Sequence, residues 1–165
     1  MNQLEWPIKF VVPGDPTTKK NSQEIRYKNK KKDGGAGPSS PHVGRVPYIA
    51  QGKKYRTYAD AARWYLRWSG DPIDVPVNVK VVYYRQSKRH VDLGNLLAAT
   101  CDILIDAGVL ADDNRNIVAA HDGSRVHYDK ENPRAEIEIT PLADTDYEVW
   151  ETAKRSKVRV SGKKQ

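Results

Sequence analysis

Three aspartates hold most of the chemistry this sequence offers. Asp92 sits where a β-like run and a basic turn give way to an apolar, helically periodic segment, and Asp112 and Asp113 follow that segment as an adjacent pair. Carboxylates projecting from element ends toward a shared point suit a magnesium ion, which takes hard oxygen ligands and keeps some of its waters. Such an ion can activate an attacking water and stabilise charge on a phosphodiester. Each residue has a structural reading as well. Asp92 is a good helix N-cap, and Asp112-Asp113-Asn114 is ordinary loop chemistry.

Other metal chemistry has little support. Cys101 is the only cysteine, which excludes an intrachain disulfide and a cysteine-rich zinc site. His42, His90, His121 and His127 have no spacing typical of zinc ligands. The 28 Lys and Arg against 21 Asp and Glu give a net charge of +7 and a pI near 9.4. That balance favours a polyanionic partner, most often nucleic acid. No apolar run approaches the roughly 20 residues of a membrane-spanning helix, and the opening MNQLEWPIKF lacks a signal-peptide layout. The expected location is the cytoplasm.

The elements that must position these carboxylates can be read around them. Leu93, Leu96, Leu97, Cys101, Leu104 and Ile105 share one face of a helix, with Asp92 placed to cap it and Gly108 suited to its C-terminal turn. The strand before it alternates Val77, Val79, Val81 and Tyr83 with Asn78, Lys80, Val82 and Tyr84. Ile8 to Val12 reads as a first strand, stopped by Pro13-Gly14-Asp15-Pro16. Thr57 with Asp60 resembles a capping box and predicts another helix from about Tyr58 to Trp68. On it Trp64 and Trp68 are i, i+4 neighbours, read as core packing or a subunit contact ahead of base stacking. Ile117 to Ala120 and Ala135 to Ile139 complete the strands.

From Lys19 to Arg56 eleven basic residues face only Glu24 and Asp33, and Asp33 to Pro41 is rich in Gly, Ser and Pro. The stretch at about 19–56 therefore reads as a mobile basic loop with little core of its own. Lys19, Lys20, Lys30, Lys31, Lys32, Lys88 and Arg89 are the candidate phosphate contacts, the alternative being a solvated face. The expected fold is α+β, a two-layer sandwich of a small mixed sheet with helices on one face. It forms one domain over 1–141, and a basic tail at 142–165 is expected to be disordered. Strand order is not legible.

One geometric difficulty stands out. A 15-residue helix is roughly 22 Å long, while the four residues Gly108 to Ala111 reach back about 14 Å at most. Either the helix is shorter, or Asp92 meets the acidic pair by another route, such as across a dimer interface.

The segment KRHVDLGNLLAATCDILIDAGVLADDNRNI, from Lys88 to Ile117, resembles the RusA family of Holliday-junction resolvases. Those proteins have a strand, a basic turn, an Asp-x-Asp-Asn segment opening a helix, a Lys early on that helix, and an acidic pair after a short Ala-Gly turn. The matching text is Asp92-Leu93-Gly94-Asn95, Asp106-Ala107-Gly108 and Asp112-Asp113, with the intervals preserved. VPGDPTTKKNS, KKYRTYADAARWYL and AEIEIT follow the family's order of elements, so the likeness covers most of Ile8 to Thr140.

The resemblance implies a homodimeric, Mg2+-dependent endonuclease that places paired nicks in four-way DNA junctions and needs no small-molecule cofactor beyond the metal. Asp92 and Asp113 match its metal ligands, with Asp112 beside them as the third catalytic candidate. Two positions depart from the pattern: Gly94 replaces the second carboxylate and Ala98 the helix Lys. Asn95, Asp112 or a water are candidates for the missing ligand, and Lys19, Lys20, Lys88 or Arg89 for the missing cation. The alternative is a catalytically weakened or inactive protein of the same fold that binds branched DNA. A general basic RNA- or DNA-binding domain is the weakest reading, because the Gly and aromatic signatures of common RNA-binding modules are lacking.

Overall fold

The computed structural model describes residues 5–20, 23–29 and 45–143. Lys30, Lys31, Lys32 and His42 lie outside them, as does the tail beyond residue 143. The β-branched run at the start forms β1 (Ile8–Pro13). Then come β2 (Gln23–Asn29), β3 (Arg45–Gln51), α1 (Lys53–Tyr65) and β4 (Val77–Arg85). The second half holds α2 (Leu93–Asp106), β5 (Val118–Ala120), β6 (Arg125–Tyr128) and β7 (Arg134–Pro141).

The main sheet runs β1-β7-β4, and the outer edge of β4 is shared by β5 and β6. β7 is antiparallel to both β1 and β4, with Phe10 and Val81 opposite Ile137. β5 and β6 are parallel to β4, pairing at its start and its end respectively. A parallel neighbour requires a crossover, and α2 supplies it between β4 and β5. The alternation read in β4 is realised: Val77, Val79, Val81 and Tyr83 are buried. They meet Leu96, Ile103 and Leu104 of α2 and Tyr55, Ala59 and Ala62 of α1 in one cluster, so both helices cover the same face. The fold is thus the expected α+β arrangement.

Three local expectations need correction. The stretch at 19–56 is not irregular throughout, because β2 and β3 pair antiparallel, with Ile25 opposite Ile49 and Tyr27 opposite Pro47. Cross-strand pairing between distant segments leaves no local signature in the sequence. In the described hairpin Ile25 and Ile49 are 70% and 69% exposed.

The first helix begins at Lys53 rather than Tyr58, with Gly52 at its N-cap and no capping side-chain bond from that residue. Glu24 of β2 accepts from the Lys53 N–H instead, at 2.9 Å, so the hairpin supplies the cap that the local sequence lacks. The buried stripe is accordingly Tyr55, Ala59, Ala62 and Leu66, while Ala61 and Tyr65 are exposed. Trp68 packs half-buried against the core beyond the helix end, but Trp64 is 71% exposed under Arg67. Finally, β6 was missed: Arg-Val-His-Tyr shows no apolar alternation, and its strand state comes from pairing with Val82–Arg85.

Candidate functional site

α2 is the element that presents Asp92. Asp92 has extended backbone angles, and its Oδ1 accepts from the Asn95 N–H at 3.4 Å, a long bond that satisfies one of the free donors of the first turn. At the other end Gly108 takes φ +73°, and the Gly108 and Val109 N–H groups bond the Ile105 and Leu104 carbonyls. This left-handed close turns the chain sharply back, as glycine there permits. Leu110 then bridges to Ile73, and the Val77 N–H, at the start of β4, bonds the Ile117 carbonyl.

These anchors tie the loop carrying Asp112 and Asp113 to the beginning of β4, whereas Asp92 follows its end. Asp112 is occupied locally, accepting from the Asp113 N–H at 2.7 Å and from Asn114 Nδ2 at 2.8 Å. The Asn114 amide and the Asp113 N–H hold its carboxyl below the usual aspartate range. The Asp113 charge is felt at Cys101, whose thiol is pushed up to about 12 by burial first and then by Asp113 and Asp102. Cys101 lies nine residues into the helix from Asp92, roughly 14 Å along its axis. Within one chain, the acidic pair is therefore held near the start of β4 and Asp92 beyond its end, with α2 running from one to the other.

The position of the motif's missing carboxylate is exposed and adjacent to Asp92. A Cβ built on Gly94 would lie 3.2 Å from Asp92 Oδ1. Among the described residues no three His, Cys, Asp or Glu side chains form a group able to hold a metal ion. A three-carboxylate centre of the family's kind is thus not assembled by the described residues of a single chain.

The candidate cations are dispersed. Lys19 Nζ pairs with Asp102 Oδ2 at 2.5 Å and lies over the Tyr55 ring. Asp102 is one helical turn from the exposed Ala98, so Lys19 reaches the helix face from which the motif Lys is missing. Lys20 is exposed. Lys88 Nζ sits 4.9 Å from the centre of the Tyr128 ring. Arg89 and His90 line a cavity of about 700 Å³ together with Asp15, Thr17, Thr18 and Lys54.

The sequence carries no sign of that cavity, because Pro13-Gly14-Asp15-Pro16 reads only as a turn. Asp15 Oδ2 accepts from Lys54 Nζ at 2.9 Å, and its Oδ1 accepts from the Gln86 N–H at 3.0 Å and lies 3.5 Å from Arg85 Nε. Partial burial opposes its ionisation, but Lys54, the Gln86 N–H and Arg85 outweigh that and hold the carboxyl below its ordinary value. An acidic residue flanked in space by residues 54, 85 and 86 has no signal in spacing.

Among the described residues no helix is long and apolar enough to cross a membrane. Comparison with curated proteins finds no match. The family model for endodeoxyribonuclease RusA matches residues 38–140, more than half of the chain and the whole Asp92–Asp113 segment. The chain therefore belongs to the RusA endodeoxyribonuclease family.

Proposed function

We propose that the protein is a structure-selective DNA endonuclease that acts on four-way junctions as a homodimer. Membership of an endodeoxyribonuclease family supports the substrate class. The observation that carries the site assignment is Asp92 at the mouth of α2, beside a basic turn, with Gly94 exposed next to it. Dimerisation is part of the reading because α2 separates Asp92 from Asp112 and Asp113 in one chain. A second copy, related by a two-fold axis, can bring the acidic pair of one chain toward Asp92 of the other. Divalent-metal dependence belongs to the same reading, and the ligand set is one carboxylate short at Gly94.

A specific observation favours the second reading, a junction-binding protein with weakened cleavage. The Gly94 and Ala98 positions carry no functional side chain, and the described residues hold no carboxylate cluster. A magnesium titration with a synthetic four-way junction, scoring binding and cleavage separately, decides between them. Paired nicks that depend on the metal support the enzyme. Tight binding with no cleavage supports the binding protein, and equal affinity for linear duplex removes both.

The domain spans 1–141 in this reading, with the basic residues at 19–56 facing DNA. Lys19, Lys20, Lys30, Lys31, Lys32, Lys88 and Arg89 are the proposed phosphate contacts. The C-terminal tail adds sequence-independent affinity through its charge.

A further inference from the structure

We propose that the cavity between the β1 turn and the β4–α2 turn is a receptor for one phosphodiester of the bound DNA strand, tuned by Asp15 as an internal competitor. The proposal rests on the DNA-binding reading above and adds a defined subsite to it.

The lining determines the class of ligand. Lys54, Arg85 and Arg89 contribute three permanent cations against the single carboxylate of Asp15, and Thr17 and Thr18 add hydroxyls. Val91 is the one aliphatic residue in the lining, so a hydrophobic ligand has no wall to meet. A volume of about 700 Å³ accommodates a sugar-phosphate unit.

The state of Arg85 is the second, independent observation. Its side chain is only 11% exposed, yet its buried Nε has no hydrogen-bond partner among the described residues. Asp15 Oδ1 is 3.5 Å away, an ion-pair distance too long for a sound hydrogen bond. A buried guanidinium donor left in this condition is costly, and a phosphate oxygen is the kind of acceptor that would relieve it.

Asp15 explains why the site is formed before DNA arrives. Its carboxylate bridges Lys54 and Arg85 and takes the Gln86 N–H, which holds α1, the end of β4 and the basic turn in one arrangement. The same carboxylate repels an incoming phosphate. It thus organises the pocket and reduces its affinity at once, which suits a protein that must release its product. Arg89 is exposed and only three residues before Asp92, so a phosphate held here lies next to the strand segment presented to the candidate catalytic residue.

The test uses the full-length chain and fluorescence anisotropy on a junction, a duplex and a single strand over a range of salt. Arg89→Ala is expected to weaken binding to all three by about ten-fold and to lower the salt slope by about one. Asp15→Asn keeps an acceptor for the Gln86 N–H and removes the charge, so it is expected to tighten binding several-fold. A single neutral methylphosphonate, moved along the strand, should weaken wild-type binding at one position and make no difference to Arg89→Ala.

Inorganic phosphate is the second arm. Competition with DNA at millimolar concentration, lost in Arg89→Ala, supports a phosphate subsite. Stabilisation by inorganic phosphate with no sensitive methylphosphonate position would show a free-anion site and overturn the proposal. So would weaker binding by a folded Asp15→Asn, or an unchanged salt slope in a folded Arg89→Ala. Absence of junction preference removes the functional reading but leaves this test readable, because phosphates are common to all three DNA forms.

Discussion

At the scale of the residue, Asp92 caps α2 and is the proposed metal ligand, two roles that substitution can separate. Asn caps helices as well as Asp does, so Asp92→Asn should leave the melting temperature within a few degrees of wild type. Metal-dependent junction cleavage should fall to background, with binding intact or tighter, because a negative charge facing phosphate has gone. Cleavage gels beside a thermal melt check both; a large drop in melting temperature with retained cleavage would confine Asp92 to capping. Gly94→Asp adds a carboxylate beside Asp92, whose Oδ1 would lie 3.2 Å from the new Cβ and must give by a few tenths of an ångström; the expected result is a second hard oxygen ligand for the ion. Ala98→Lys returns a cation to the exposed face that Lys19 now approaches through Asp102. The double substitution should raise junction cleavage in magnesium well above wild type, with a smaller gain from either change alone. Continued inactivity of a folded, junction-binding double variant would mean that the family's site does not map onto these positions.

At the scale of the element, legibility follows how local the causes are. α2 was readable almost to the residue, because its cap, its apolar face and its terminating glycine all lie within seventeen positions of one another, from Asp92 to Gly108. β4 was readable because its alternation reports one deeply buried face. The β2–β3 hairpin, β6 and the true start of α1 were not, since each depends on a partner distant in sequence. Glu24 shows the point: it caps α1 from 29 positions away. Glu24→Ala is therefore expected to speed amide exchange in the first turn of α1 and in β2 and β3 together, leaving α2 unchanged. A two-stranded ribbon has little stability alone, so unaltered exchange in the hairpin would show that something other than Glu24 holds it. The contact between β4 and α2 has its own marker. Thr100 donates its hydroxyl proton to the Leu96 carbonyl at 3.0 Å, leaving Tyr83 as the donor in their 2.7 Å bond. Tyr83→Phe removes that bond while Thr100 keeps the other, and should cost about 1 kcal/mol in urea unfolding. No measurable loss would mean that water replaces the phenol at no cost.

At the scale of the whole molecule, the issue is whether one chain or two make a site. In sequence Asp92 and Asp113 are 21 positions apart, and a linear motif cannot say which copies meet. The structure anchors the acidic pair's loop at the start of β4 and places Asp92 after the end of that strand. If two chains complete each other, every site in the dimer takes Asp92 from one chain and the acidic pair from its partner. A mixed dimer of an Asp92→Asn chain and an Asp113→Asn chain then has one doubly damaged site and one intact site. If each chain builds its own site, both sites in the mixed dimer are damaged. Two variants that are each inactive as homodimers are therefore expected to recover cleavage when co-expressed or exchanged. The recovered product should be a single nick rather than a paired one, since only half of the sites are restored. The measurement belongs in whichever background cleaves measurably, the natural sequence or the Gly94→Asp, Ala98→Lys double variant. Exchange is verified by tagging the two chains differently and recovering both through one tag. A co-purified mixed dimer that binds junctions and cuts neither strand would assign each site to a single chain, and would then require the loop at Asp112 and Asp113 to move toward Asp92 when DNA binds.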